Sequence, residues 1–251
     1  MNLEQKIEKL TEYINKAQNI VFFGGAGVST ESGIPDFRSS SGIYSNKEYD
    51  EPPETMLSRT YFFNNTEKFY DFYKNKMLYP DAKPNDAHKV LAELEEAGKL
   101  KAVITQNVDD LHRIAGSKNV IELHGNAHKN ICLKCKKVFG VSYIIKSESS
   151  PLCDDCGGLI KPDVVLYEEQ LNEQTVMSAV KHISAADMLI VGGTSLAVYP
   201  AAHYISYFFR NKKIEKRSAI INKSGTYYDD MFDINIHEDG IGSVLSKAYN
   251  F

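Results

Sequence analysis

The chain has four cysteines, and they stand as two Cys-x2-Cys pairs, Cys132/Cys135 and Cys153/Cys156, with 17 residues between them. Two pairs at that separation form the ligand set of one tetrahedral zinc. No other feature constrains the fold as strongly. A short stretch held by thiolates folds only around its metal, so Asn130 to Ile160 is expected to form a zinc module inserted in a larger chain. A four-thiolate site is closed, so the zinc is structural and no thiol remains for nucleophilic catalysis. Four unrelated reduced thiols are the alternative, and they give no reason for the paired spacing.

The 251 residues suit one large domain or one domain carrying a smaller insertion, and 43% hydrophobic residues are enough for a packed core. No apolar run is long enough to span a membrane. The start, MNLEQKIEKLTEYI, contains acids and lacks the apolar stretch of a signal peptide; Leu3, Ile7, Leu10 and Ile14 recur at helical spacing. Together with metal-binding thiols this predicts a cytoplasmic protein. A formal charge of −4 disfavours a general nucleic-acid binder. The basic cluster Arg210, Lys212, Lys213, Lys216 and Arg217 is expected to be a solvated helix end and loop.

β-rich runs alternate with helical patterns, which predicts an α/β fold with a mainly parallel sheet. The expected strands are Asn19 to Gly24, Lys101 to Thr105, Asp187 to Val191 and Ser218 to Ile221. Asn85 or Asp86 caps a helix carrying Val90, Leu91, Leu94 and Ala97 and ended by Gly98, Pro200 opens another, and Ile241 to Tyr249 closes the chain as a third. Residues 36–54 are polar and aperiodic, a long loop of the kind that is functional or disordered.

The first strand runs into Gly24-Gly25-Ala26-Gly27-Val28-Ser29-Thr30. Glycines there let a backbone approach a pyrophosphate, with a following helix N-terminus facing the anion. Alone the run is a weak signal, also compatible with a tight structural turn. It departs from the hydride-transfer fingerprint, because Thr30 stands at the third small position and no acidic strand end follows closely. Gly33-Ile34-Pro35-Asp36-Phe37-Arg38 comes next. Thr105-Gln106-Asn107-Val108-Asp109-Asp110-Leu111-His112 ends the second expected strand, Glu122-Leu123-His124-Gly125 precedes the zinc module, Gly192-Gly193-Thr194-Ser195-Leu196 follows the third strand and Asn222 the fourth. Strand ends of one polarity line one edge of a sheet, so these clusters converge on one crevice.

Taken in order, GAGVST, GIPDFR, TQNVDDLH, ELHG, the paired CxxC and GGTSL resemble the sirtuin family of NAD-dependent protein deacylases, in its bacterial form with a structural zinc. The resemblance covers nearly the whole chain. It implies a Rossmann-type domain of residues 1–40, 83–128 and 161–251, with a small domain made of a helical insert (41–82) and the zinc module (129–160). It implies NAD as a consumed cosubstrate and acyl-lysine proteins or peptides as partners. Nicotinamide leaves the ribose, the acyl oxygen takes its place, and the products are lysine, nicotinamide and O-acyl-ADP-ribose.

By the same resemblance, His124 is the general base and Asn107 belongs with it in the catalytic set, Gln106 and Asn107 ordering the ribose and a water. An imidazole near its unperturbed pKa of ~6.5 can take a hydroxyl proton at neutral pH. Gly25, Ala26, Gly27 and Thr30 face the diphosphate with Arg38 nearby, and Phe37 shields the anomeric carbon. Val108 and Asp109 form the nicotinamide pocket. Gly193, Thr194, Ser195 and Asn222 hold the adenosine half, with Asp239, Gly240 and Ile241 near the adenine. Asp36 stands in the loop motif; it or Asp109 could instead cap a helix. His88 and His112 fall in helical patterns and are expected to be packed or partly exposed structural residues.

The resemblance places the peptide on Val165, Leu166 and Tyr167, where an extended substrate adds as a strand. Glu168 stands where the family pattern has glycine. Members that prefer succinyl or malonyl groups carry Tyr-x-x-Arg in the helical insert; here the pair is Tyr70 and Tyr73, so a neutral acyl group such as acetyl is expected. Rival readings are a protein mono-ADP-ribosyltransferase and a non-catalytic NAD-sensing zinc scaffold.

Overall fold

A computed structural model describes residues 1–39, 42–45, 48–210 and 215–249. Its main sheet has six strands: β1 (Ile20–Gly24), β2 (Leu100–Thr105), β3 (Val120–Glu122), β7 (Met188–Gly192), β8 (Arg217–Ile221) and β9 (Ile234–Ile236). The order is β3-β2-β1-β7-β8-β9, with every neighbouring pair parallel. The remaining strands, β4 (Gly125–Cys132), β5 (Val138–Gly140) and β6 (Ile160–Val164), form a separate antiparallel sheet in the order β5-β4-β6.

Both faces of the parallel sheet are covered, which explains why its central strands read as unbroken apolar runs. Alternate residues serve opposite cores. Ile20, Phe22, Val103, Met188, Ile190 and Ala219 pack with Leu10, Leu91 and Leu245 from the helices Leu3–Lys16, Asp86–Glu96 and Ile241–Tyr249. Val21, Phe23, Ile104, Leu189, Val191 and Ile220 pack with Ala179, Ile183 and Phe208 on the other side. Asn2 and Asn85 close the first two of those helices with capping boxes.

The four expected strands are present within one residue of their bounds. β3 and β9 were not expected: each has three residues, too few to display an alternation. Nor was the helix Glu173–Ala185, capped by Asn172. In place of the helix expected to follow the glycine run stand two single turns of 3-10 helix, Ala26–Val28 and Thr30–Ser32. Asn85 Nδ2 fixes them by donating to Val28 O at 2.8 Å and Ser32 Oγ at 3.0 Å. Pro200 opens a 3-10 segment, Ala201–Ile205, which runs into the α-helix Ser206–Arg210.

A third core joins the helices Arg59–Asn64 and Thr66–Lys76 to the antiparallel sheet. Phe62, Phe69, Tyr70, Phe72 and Tyr73 pack there with Phe139, Ile144, Ile160, Cys132 and Cys153. Of the basic cluster, Lys212 and Lys213 lie outside the described residues. The others have local partners: Arg217 with Glu215, Lys216 over Phe208, and Arg210 over Tyr207. Among the described residues no helix is long and apolar enough to cross a membrane.

Candidate active site

β1 pairs with β2 on one side and β7 on the other, so the strand order reverses between β1 and β7. Their last residues, Gly24 and Gly192, are register partners. A crevice beyond the carboxyl ends at such a switch point is where open α/β sheets hold ligands. It opens here into a cavity of about 1090 Å³. Two glycine segments make its floor. Gly27 N–H donates to Gly193 O at 2.8 Å, and Gly193 has φ +57°, with space so tight that a Cβ would fall 2.3 Å from Val28 N. Only glycine brings the two loops together in that conformation.

The sequence clusters meet in this cavity. Gly25, Ala26, Gly27 and Thr30 line it from the β1 end; Gln106, Asn107, Val108 and Asp109 from the β2 end; and Gly193, Thr194 and Ser195 from the β7 end. Asn222 follows β8, and Asp239, Gly240 and Ile241 open the last helix at the same rim. Asp36, Phe37 and Arg38 form one wall, and Val165, Leu166 and Tyr167 another. His124 lies between them, as does His128, for which the sequence offers no motif.

His124 follows β3, and its position is set by the chain on either side. Leu123 N–H donates to Thr105 O at 2.9 Å, and Val165 N–H donates to His124 O at 2.9 Å. Gly125, at φ +80°, admits no side chain, since a Cβ there would lie 1.9 Å from Asp163 O. The His124 Nδ1 is 3.0 Å from Gln106 O. A carbonyl only accepts, so Nδ1 carries the proton and Nε2 keeps its lone pair. Burial lowers the imidazole pKa against the opposing pull of that bond, which keeps the ring neutral at pH 7.

Below it runs a chain of polar contacts that includes Ser29, a buried residue that the motif contains but to which the sequence assigned no role. Asn107 Nδ2 donates to Ser29 Oγ at 3.0 Å, and Ser29 Oγ donates to Asp109 Oδ2 at 2.6 Å. Leu111 N–H donates to Asp109 Oδ1 at 3.0 Å, a contact two residues along the chain; the N-cap of the short helix Leu111–Ile114 is Asp110. Burial raises the Asp109 pKa, and the Ser29 and Leu111 bonds oppose the rise. Gln106 Nε2 donates to Thr194 Oγ1 at 3.2 Å, linking the β2 and β7 ends. Asp36 Oδ1 accepts from Ser39 N, a contact within its own loop. Asp239 is turned to its helix, taking Ser243 Oγ and Lys247 Nζ; the lysine holds its pKa down to about 2.

Tyr73 lines the cavity, but Tyr70 does not. Tyr70 faces the antiparallel sheet and donates its hydroxyl to Ile160 O. The two tyrosines lie three residues apart on one face of a helix and pack in the same core, their rings 6.3 Å apart, and Tyr73 is the one at the cavity. The Tyr73 hydroxyl is buried and has no hydrogen-bond partner among the described residues. Lys74 points away, to Ser147 O and Ser149 O. Glu168 adopts φ +74°, the conformation that glycine takes without strain, and its Oε2 accepts from Thr60 N and Oγ1.

The four Sγ atoms of Cys132, Cys135, Cys153 and Cys156 lie within 4.8 Å of one another. Cys132–Cys156 and Cys135–Cys153 are 3.5 and 3.6 Å apart. A tetrahedral zinc with bonds of about 2.3 Å separates its sulfurs by about 3.8 Å, so the set fits the metal. Cys135 N–H donates to Cys132 Sγ at 3.4 Å, as a thiolate requires.

The sheet, the crevice at its switch point and the half-buried imidazole define an α/β dinucleotide-site protein with a thiolate-held accessory module. The Sir2 family model matches residues 25–200, and the chain belongs to that family. A protein named NAD-dependent protein deacetylase from Clostridium acetobutylicum is 57% identical, covering 99% of this chain and 100% of its own length. A protein of the same name from Clostridium perfringens is 52% identical over 98% and 99%. The structure of a Sir2 protein with a p53 peptide and NAD+ superposes with TM-score 0.84 at 37% identity, over 97% of each chain.

Proposed function

We propose that this chain is an NAD-dependent protein-lysine deacetylase, moving the acyl group of an acyl-lysine to ADP-ribose with release of nicotinamide. The observation that carries this is His124, its Nδ1 bonded to Gln106 O and its Nε2 without a hydrogen-bond partner among the described residues, in one cavity with the glycine loops and the Val165–Tyr167 edge. The Sir2 family membership and the two clostridial relatives support it. When bound, NAD supplies the anomeric carbon that gives up nicotinamide and the ribose hydroxyl that receives the acyl group.

The chain's own residues act around that chemistry. The Gly25–Gly27 turn and Gly193–Ser195 hold the dinucleotide, with Thr30 and Arg38 at the diphosphate and Asn222 and the 239–241 segment at the adenosine. Asp109, ordered by Ser29, bonds the carboxamide beside Val108, while Gln106 and Asn107 orient the ribose. Phe37 keeps water from the reacting carbon. His124 Nε2 accepts the ribose hydroxyl proton. A peptide adding as a strand at 165–167 displaces Glu169 Oε2, which now takes Leu166 N–H. Residues 1–40, 83–128 and 161–251 serve the dinucleotide, and 41–82 with 129–160 form the accessory domain around one structural zinc.

Tyr73, with no cation at its position, supports a preference for acetyl over succinyl groups. The charge of −4 and cysteines grouped as a metal site without disulfides support a cytoplasmic enzyme of protein substrates, not of nucleic acid or membranes. The test follows nicotinamide and peptide mass together, with NAD and matched acetyl- and succinyl-lysine peptides. Acetyl loss that requires both NAD and His124 is expected. Faster succinyl removal overturns the acyl preference, and label left on protein without deacylation puts ADP-ribosyl transfer in its place.

A further inference from the structure

Tyr44 joins the two walls of the cavity. The loop beginning at Asp36 closes on itself through Ile43 N–H to Asp36 O at 2.8 Å and Tyr44 N–H to Phe37 O at 2.9 Å. The Tyr44 ring meets the Phe37 ring edge-on at 5.7 Å, and the Arg38 guanidinium lies 5.5 Å from the Tyr44 centroid. Its hydroxyl is 2.6 Å from that of Tyr167, across the cavity. Tyr167 is itself fixed to the accessory helices: its N–H donates to Leu57 O at 3.0 Å, and Arg59 N–H donates to its carbonyl at 2.9 Å.

We propose that Tyr44 is a positioning residue whose hydroxyl, bonded to Tyr167, latches the loop carrying Phe37 and Arg38 to the edge that receives the acyl-lysine. This rests on the deacetylase reading for what the two walls bind. One residue then sets both walls, through its backbone and ring on the dinucleotide side and its hydroxyl on the peptide side. The consequence is coupling: Phe37 and Arg38 reach their places when the 165–167 edge is in its own, so that NAD is cleaved when an acyl-lysine can capture it. Without the bond, the loop samples positions in which Phe37 leaves the reacting carbon open to water.

Tyr44→Phe removes the hydroxyl and keeps both ring contacts, whereas Tyr44→Ala removes all three. For Tyr44→Phe, KM for NAD is expected to rise about three- to tenfold, the effect of one neutral hydrogen bond, with a smaller fall in kcat. Nicotinamide released per acetyl removed should rise above the wild-type ratio. Tyr167→Phe should behave alike, and the double variant should be no worse than either single, because both lose the same bond. A ring-packing role alone would move Tyr44→Ala and leave Tyr44→Phe at wild type. Wild-type values of KM and of the nicotinamide ratio in Tyr44→Phe, or additive losses in the double variant, overturn the latch. Affinity for ADP-ribose, measured by calorimetry on the same variants, decides it independently of turnover: weaker binding in Tyr44→Phe supports it, and unchanged binding opposes it. If the wild type binds ADP-ribose but deacylates no peptide, the deacetylase reading falls and these affinities still judge the latch.

Discussion

His124 Nδ1 lies 3.0 Å from the carbonyl oxygen of Gln106, so one backbone atom fixes which imidazole nitrogen can act as base. His124→Ala is expected to lower kcat/KM for deacetylation by about 10²–10⁴ while leaving ADP-ribose affinity near wild type. The working form is neutral and burial lowers its pKa, so activity should hold through pH 7 and decline only below the ordinary value of ~6.5. A pH profile whose acid limb lies above that value contradicts the assignment.

The rings of His88 and His112 meet at a tilt with centroids 4.7 Å apart in the core, and His88 Nε2 and both His112 nitrogens have no hydrogen-bond partner among the described residues. Burial lowers both, His88 to about 4. The unfolded chain therefore takes protons near pH 6.5 that the folded chain refuses. Stability is complete above that pH and is lost progressively toward pH 4, with His88 alone accounting for on the order of 2 kcal/mol at pH 5. His88→Gln keeps the side-chain type of a capping box with Asn85 and removes the titration. Thermal melts should show a shallower loss between pH 7 and 5 for the variant; parallel curves exclude this cause.

Glu168 combines an unfavourable φ with two hydrogen bonds to Thr60. Replacement by alanine loses the bonds and keeps the strain, whereas glycine loses the bonds and relieves it. Thermal melts should therefore rank wild type and Glu168→Gly above Glu168→Ala. An alanine variant as stable as the glycine variant would show that the backbone strain is inconsequential.

The zinc module shares one apolar core with the helices Arg59–Asn64 and Thr66–Lys76. Chelation, or Cys153→Ser, should remove one zinc per chain and loosen both parts together. Hydrogen exchange is expected to quicken across 59–76 and 125–164 while β1 and β7 stay protected. Faster exchange confined to 130–160 would show the helices to be independent of the metal.

Much of the site was legible because its residues follow strands whose apolar runs are local features. Gln106, Asn107, Asp109 and Thr194 sit at strand ends for the same reason that β2 and β7 end there. Spacing alone revealed the thiolate set. The helix expected to follow the glycine run did not form; Asn85, from a distant part of the chain, ties down the 3-10 turns that stand there. Tyr70 and Tyr73 could not be told apart either: both are apolar-face positions of one helix, and only the antiparallel sheet beside it decides which one meets the cavity.

The sequence by itself determined the parallel α/β architecture, the zinc ligands and the ordered set of site motifs, because each is written in neighbouring residues. Tertiary structure alone decided the contacts that join the walls of the cavity: Ser29 with Asp109, Gln106 with Thr194, and Tyr44 with Tyr167, whose members lie 80, 88 and 123 positions apart. No local pattern encodes such pairs. They exist because sheet order and three packed cores bring separate loops to one edge, and hydrogen-bond geometry then selects among the side chains that arrive there.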